Sequence, residues 1–240
     1  MLLLLVLGGA VLFSRNMTTQ APGATRTAAN AELLAEAKEA LLGYATTYDA
    51  THPGELGFLP CPDVDATGLL DEGEAHELLC GLQHRSVLGR LPWRTLGLPE
   101  LRDGWGECLW YAVSGSVKHN PKPQALNWDS PGQFRLRDPA GRALEVAAAD
   151  GMAVAVLFSP GPPRSGQTRP PTRGTNCTGS DSAAADLAHY LDPGHARAGS
   201  GPIELTLHPA ALDDAAPNDL ATWIGIDDLF DALRRRRDHA

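Results

Sequence analysis

The chain of 240 residues carries 29 acidic and 20 basic side chains, which gives a formal net charge of −9. A nucleic-acid-binding protein needs a basic face to displace the counterions of the phosphate backbone, so this charge argues against that class. Hydrophobic residues make up 43% of the chain, enough for a packed core, which excludes a disordered protein. The length fits one domain or two small ones, and 25 glycines and 19 prolines predict a small core connected by many turns.

The N-terminus begins with thirteen apolar residues, MLLLLVLGGAVLF, and polar residues follow from Ser14. A membrane-spanning helix needs about 20 apolar residues, so this run is short for one. Three interpretations compete: the remaining part of a membrane helix, the core of a signal peptide, and a buried core helix. We favour the first, because so apolar an exposed run is difficult to cover in a soluble domain and a signal peptide would have a basic start. We therefore predict a membrane anchor over residues 1–14 and a single head domain over residues 15–240.

The rest of the chain predicts one long helix, loops, and then strands. Apolar side chains recur at three- and four-residue spacing over residues 28–48, which indicates an amphipathic helix. The segment 54–101 is rich in glycine and proline, holds two cysteines and is predicted to be a long loop-rich region. Strand-like runs span residues 108–113, 133–137, 152–158, 203–207 and 223–226, and a short helix is predicted at 227–237. This order predicts an α+β fold, in which a long N-terminal helix packs on an antiparallel meander sheet.

Several short motifs occur in a recognisable order behind the apolar N-terminus. They are ALLGYA at 40–45, LPCPD at 59–63, GRLPWRTLGL at 89–98, DGWG at 103–106 and LWYAV at 109–113. Together they resemble proteobacterial pilin-like proteins with a prepilin-type N-terminal helix. The D-x-W-G…Y element is also similar to the loop that opens the sheet in the major pseudopilins of type II secretion. The resemblance covers most of residues 1–160.

The resemblance implies a structural subunit that acts by assembly in a type IV pilus or a type II secretion-like system. Such a helix lies first in the inner membrane and then packs against copies of itself, while the head lies in the periplasm. The implied partners are the membrane and other pilin-like subunits or secretion machinery. The helix residues expected to carry assembly, with small residues that allow close approach, are Leu3, Leu4, Val6, Leu7, Gly8, Gly9, Val11 and Leu12.

The prepilin peptidase signature is missing from this chain. Leu5 stands where a mature pilin often carries Glu, and no basic leader precedes the apolar run. Three explanations remain open: the chain as given starts late, it is not processed by the peptidase, or it resembles a minor pilin that dispenses with the Glu.

The four cysteines, Cys61, Cys80, Cys108 and Cys177, show neither C-x-x-C spacing nor paired histidines, so a zinc site is not indicated. An even number of cysteines in an exported, loop-rich domain favours two disulfides, and four cysteines allow three pairings. We predict that Cys61–Cys80 closes the loop after the helix and that Cys108–Cys177 ties the proline-rich loop 160–179 to the sheet. The alternative is four free thiols in a cytoplasmic protein.

Residues 63–74, DVDATGLLDEGE, match the twelve-residue spacing of an EF-hand calcium loop, with Gly68 at the sixth position. The usual flanking helices are not expected, because Pro60 and Pro62 precede the loop. The competing interpretation is a solvated acidic turn, since short matches of this kind arise by chance. Ca²⁺ is thus the one cofactor that the sequence suggests, and it would fold the loop. Its predicted ligands are Asp63, Asp65, Thr67, Asp71 and Glu74.

No catalytic motif is evident in the sequence. It contains no H-E-x-x-H, no G-x-S-x-G and no Walker loop, and its eight histidines are scattered. Asp103 and Glu107 flank Trp105 in the manner of paired carboxylates, but the simpler interpretation is that Asp103 bonds turn amides while Trp105 packs against the helix. We therefore expect no enzymatic activity and identify no catalytic residue or small-molecule substrate. The alternatives are a membrane-tethered periplasmic hydrolase and a calcium-dependent periplasmic binding module.

Overall fold

The computed structural model describes residues 22–64, 72–75, 80–118, 125–169, 177, 184–195, 197–207 and 219–238. The architecture is α+β, with a four-stranded antiparallel sheet and two disulfides. The helices are α1 (Pro22–Thr47), α2 (Ala184–Tyr190) and α3 (Ile226–Asp238), with a short 3-10 helix at Tyr48–Ala50. The strands are β1 (Val87–Arg90), β2 (Trp110–Val113), β3 (Phe134–Arg137), β4 (Ala155–Ser159), β5 (Ile203–Thr206) and β6 (Leu220–Ile224).

Helix α1 covers residues 28–47 of the helix predicted over 28–48 and extends back to Pro22, the first described residue. Its buried side chains Leu34, Ala37, Leu41 and Ala45 follow steps of three and four residues, which places them on one face. The predicted anchor 1–14 and the assembly residues within it lie outside the described residues, so the continuous apolar and amphipathic helix stays a prediction. No helix in the described part of the chain is long and apolar enough to cross a membrane.

The central sheet has the strand order β1-β2-β4-β6, and all neighbours are antiparallel. The predicted strands at 108–113 and 152–158 form its centre, and the predicted last edge strand is β6. The segment 54–101, predicted to be loop-rich, also contains β1, a strand that was not predicted. Its four residues, Val-Leu-Gly-Arg, are too few to show an alternating pattern, and Gly89 weakens the strand signal. The missing side chain has a use, since a Cβ on Gly89 would lie 2.7 Å from the carbonyl oxygen of Asp63.

The predicted meander was wrong for β3 and β5, which leave the central sheet and pair with each other in parallel. Phe134 stands opposite Ile203, and Leu136 stands opposite Leu205. Both strands alternate polar and apolar residues as predicted, but alternation specifies only that one face is buried. It does not select the partner strand. The chain between them carries β4 and α2, and this long crossover lets β5 arrive in the same direction as β3.

The central sheet is covered on both faces. One face packs against α1 and α3 in a cluster that includes Leu41, Tyr111 and Leu229. The other packs against the β3–β5 pair and α2 in a second cluster that includes Trp110 and Phe134. Because successive strand residues point to opposite faces, β2 and β4 supply both clusters. This explains why the segment 152–158 is continuously apolar, as is typical of a strand buried on both sides.

Helix α3 confirms the predicted C-terminal helix at 227–237. It runs parallel to α1, as two ion pairs show: Lys38 Nζ lies 3.2 Å from Asp228 Oδ2, and Arg236 Nη1 lies 3.1 Å from Asp49 Oδ1. The arginine-rich end of α3 therefore lies beside the C-terminal end of α1.

Candidate functional site

The four cysteines pair as predicted, with Cys61 bonded to Cys80 and Cys108 bonded to Cys177. The first disulfide joins the segment after α1 to the segment that leads into β1. The second joins Cys177 to the residue that lies two positions before β2. All four sulphur atoms are therefore bonded, and the alternative of free thiols is wrong.

The predicted calcium loop is described only at its two ends. Asp63 is buried, and its Oδ2 accepts a hydrogen bond of 2.9 Å from the Gly73 amide, so this carboxylate closes its own loop. Glu74 is partly buried. The other predicted ligands, Asp65, Thr67 and Asp71, lie outside the described residues. Calcium binding by this loop therefore stays a prediction.

Asp103 is a structural hub, as the simpler interpretation of the DGWG motif predicts. Its Oδ1 accepts hydrogen bonds of 2.9 Å from the amides of Trp105 and Glu107. Its Oδ2 accepts bonds from the Ser159 hydroxyl at 3.0 Å and from the Gly161 amide at 2.9 Å. The carboxylate is 5% exposed, so these four donors take up its bonding capacity.

Glu107 has a structural partner of its own. The buried guanidinium of Arg169 lies 3.3 Å from the Glu107 carboxylate and also donates to the carbonyl oxygens of Gly161, His189 and Tyr190. Arg169 thereby connects the loop after β4 to the end of α2. The Asp103 and Glu107 carboxylates thus organise loops, and they do not face each other as an acid–base pair.

A second buried cation was not foreseen from the sequence. The guanidinium carbon of Arg90 lies 4.0 Å from the ring centre of Trp110 and 4.3 Å from that of Tyr190. Its Nη1 donates to the Cys108 carbonyl at 3.1 Å. Burial lowers the pKa of Arg90 to about 10, so the group stays charged at neutral pH. The two rings compensate part of the hydration that this charge loses on burial. Arg90 therefore packs against the second hydrophobic cluster, the one that includes Trp110 and Phe134.

The most concentrated group of titratable side chains lies where the segment after α2 meets β5 and β6. His195 Nδ1 lies 2.7 Å from Asp219 Oδ2, and His195 Nε2 lies 2.7 Å from the carbonyl oxygen of Thr206. The same Asp219 oxygen accepts a 2.7 Å bond from the Asp192 amide. We call Asp192, His195 and Asp219 the Asp–His–Asp cluster. All three residues are buried.

The electrostatics of this cluster are unusual for the interior of a small domain. Burial by itself lowers the pKa of His195, but the hydrogen bond and the charge of Asp219 outweigh it and hold this pKa above its ordinary value. Arg164 Nη1 pairs with Asp192 Oδ1 at 2.9 Å on the outer side. Next to Asp192 lies an open cavity of about 450 Å³, to which Arg164, Ser165, Gly166, Gln167, Ala188 and Pro193 contribute.

Sequence reasoning missed the Asp–His–Asp cluster. Asp192 and His195 stand three residues apart around Pro193-Gly194, which by itself indicates only a turn. Asp219 follows much later in the chain, and the fold alone brings it to His195. A nitrogen donor and carboxylate oxygens from two distant backbone segments are a ligand set that borderline metal ions accept.

Comparisons with protein-family models, with curated proteins and with solved structures each find no match for this chain. No family is assigned on that basis. Function is therefore inferred from the residues and their contacts.

Proposed function

We propose that the chain is a pilin-like structural subunit, anchored in the inner membrane by residues 1–14, with its head in the periplasm. It acts by assembly in a type IV pilus or a type II secretion-like system. The observation that carries this proposal is the placement of α1. The helix is present from the first described residue, Pro22, and packs along one face of an antiparallel sheet. This arrangement is suited to connecting a membrane segment rigidly to a head.

The first turns of α1 support this role. Burial begins at Asn30, whose side-chain oxygen accepts a 2.7 Å bond from the Gly104 amide, whereas Arg26, Ala28 and Ala29 are exposed. In this exposed first part of the helix, the Arg26 guanidinium lies over the Trp105 ring, with its carbon 5.9 Å from the ring centre.

The outer face of α1 does not pack against the core of the head. From Glu32 to Thr47 its exposed residues are small or acidic and form a face that neighbouring subunits can contact. They are Glu32, Ala35, Glu36, Glu39, Gly43 and Thr47.

The disulfides support export from the cytoplasm. Disulfides persist in oxidising compartments such as the bacterial periplasm and are rare in the cytosol. The first disulfide closes a loop that precedes β1, and the second closes a longer one that contains β2, β3 and β4. Structural roles for Asp103 and Glu107 further favour assembly over the hydrolase alternative.

Anchoring is tested by fractionating the full chain in a Gram-negative host. We expect the chain in the membrane pellet after carbonate extraction, and we expect deletion of residues 2–14 to release it. Leu7→Arg puts a charge in the middle of the run, which costs about 2.5–3.5 kcal/mol at a membrane centre, and should also release it. Leu82→Arg is the matched control, because Leu82 is 59% exposed on the head. A full chain recovered in the soluble fraction would contradict the anchor.

Assembly is tested separately with a single new thiol. All four native cysteines are bonded, so Val11→Cys introduces one reactive group. We expect oxidant to produce covalent dimers through Val11→Cys in the membrane, and we expect Leu82→Cys to give few. Equal yields from both variants, or no dimers at position 11, would contradict self-association through the anchor even if the anchor itself holds.

A further inference from the structure

The backbone around the Asp–His–Asp cluster defines which nitrogen of His195 is available. A carbonyl oxygen only accepts hydrogen bonds, so the 2.7 Å contact with Thr206 means that His195 Nε2 carries a proton and donates it. The other nitrogen, Nδ1, points at the Asp219 carboxylate. A histidine that binds a metal typically has one nitrogen donating to a carbonyl, as Nε2 does here. Metal binding through Nδ1 requires its 2.7 Å contact with Asp219 Oδ2 to open.

Two carboxylate oxygens of the cluster lack a partner. Asp192 Oδ2 and Asp219 Oδ1 are both buried, and among the described residues neither has a hydrogen-bond donor. The Asp219 side chain is fully buried, and the Asp192 side chain is 11% exposed. Burying a carboxylate oxygen without a hydrogen-bond donor costs desolvation free energy, and native structures rarely contain such an atom. Two such oxygens beside one imidazole therefore indicate a positively charged ligand.

We propose that Asp192, His195 and Asp219 bind one divalent first-row transition metal ion, with Zn²⁺ as the representative. One donor atom from each side chain lies within 4.8 Å of the others, so modest side-chain shifts bring all three into coordination distance. A ligand set of one imidazole and two carboxylates suits Zn²⁺, whereas Ca²⁺ and Mg²⁺ prefer oxygen ligands only. The site is separate from the predicted calcium loop.

The surroundings of the cluster are compatible with a bound cation. Arg164 pairs with Asp192 through Oδ1, which leaves Oδ2 for the ion. An open cavity lies beside Asp192, on the side of Arg164. No thiolate competes, because every cysteine is in a disulfide. A doubly donating imidazolium would satisfy only Asp219 Oδ2 and Thr206, and the two orphaned oxygens would stay without donors.

The ion has a structural role in this proposal. Asp192 and His195 belong to the segment after α2, Thr206 ends β5, and Asp219 precedes β6. A metal at this point ties α2 and the β3–β5 pair to the edge strand of the central sheet. The ion would stabilise the second hydrophobic cluster, and its binding does not depend on the membrane anchor.

The test uses the untagged chain, stripped with EDTA and titrated with ZnCl₂ by isothermal titration calorimetry. We expect one equivalent to bind, with a higher melting temperature for the loaded chain. Asp192→Asn keeps the shape of the side chain and should weaken binding by about 100-fold. Asp231→Asn is the matched control, since Asp231 is an exposed carboxylate on α3, and should leave the affinity within about twofold. Absence of binding, or equal affinities in the two variants, would overturn the proposal.

A second measurement needs no variant. Zinc-edge X-ray absorption of the loaded full chain should show one imidazole nitrogen and oxygen ligands at about 2.0–2.2 Å. This readout stands even if circular dichroism shows that Asp192→Asn has not folded. Sulphur in the coordination shell, or a shell without imidazole, would place the ion elsewhere and refute the site.

Discussion

Individual buried charges determine how this head responds to pH. Lys118 is fully buried just after β2, and its amino group donates to the carbonyl oxygen of Cys80. Burial, with a smaller contribution from the positive charge of Arg85, lowers the pKa of Lys118 to about 8. The cost of burying its ammonium group is therefore present at neutral pH, and the amine becomes neutral in the folded protein at a moderately alkaline pH.

The sign of the expected pH effect follows from proton linkage. In the unfolded chain Lys118 has its ordinary pKa of 10.5, so between about pH 8 and that value the unfolded state binds more protons. The Lys118 contribution to stability should rise across this window, on the order of 1–2 kcal/mol. We expect urea denaturation to show a larger gain from about pH 7 to about pH 9.5 for the native chain than for Lys118→Met. A gain that is equal or larger in Lys118→Met would contradict the buried charge.

At the scale of elements, two glycines that look alike in sequence have opposite roles. A Cβ on Gly43, on the exposed face of α1, would meet no heavy atom within 4 Å outside the helix's own backbone. A Cβ on Gly89 in β1 would meet Asp63 O at 2.7 Å and Pro62 Cβ at 2.9 Å. The first glycine therefore only weakens its helix, whereas the second allows the segment 61–64 to pass close to β1.

These two positions form a matched pair of alanine substitutions. Gly43→Ala should raise the free energy of unfolding by about 0.5–1 kcal/mol, since alanine has the higher helix propensity. Gly89→Ala should lower it by about 1–3 kcal/mol, because the backbone of residues 61–64 must move away. Urea denaturation of both variants measures the difference. If Gly43→Ala destabilises the head as much as Gly89→Ala does, the exposed face of α1 is engaged in a contact that is not within the head.

At the scale of the whole molecule, the two disulfides constrain the unfolded chain to different degrees. Cys61 and Cys80 are 19 residues apart, whereas Cys108 and Cys177 are 69 apart. The stabilisation from a crosslink grows with the logarithm of the loop that it closes, to about 3 kcal/mol for the shorter loop and about 4 kcal/mol for the longer one.

The expected order of stability follows from these loop lengths. Replacing Cys108 and Cys177 by alanine should therefore destabilise the head more than replacing Cys61 and Cys80. Denaturation curves of the two double variants and of the native chain give the order of their free energies of unfolding. The reverse order would mean that native contacts around the first cystine outweigh the difference in loop entropy.

Several features of the fold were predictable because their signals are local or drawn from few alternatives. The three- and four-residue spacing of Leu34, Ala37 and Leu41 places α1 in the sequence, and the continuous apolar run 152–158 places β4. The short side chain of Asp103 before Trp105 and Gly106 indicates a turn closed by its carboxylate. Four cysteines leave only three pairings, so one pairing could be proposed in advance, although the spacing by itself does not select among the three.

The tertiary structure alone decided which distant segments meet. The parallel pairing of β3 with β5, Arg90 held between the rings of Trp110 and Tyr190, and His195 joined to Asp219 all connect residues far apart in the chain. Local periodicity reports which face of an element is buried, because the period depends on backbone geometry. It carries no information about which other segment covers that face, since the partner is selected by packing of the whole core.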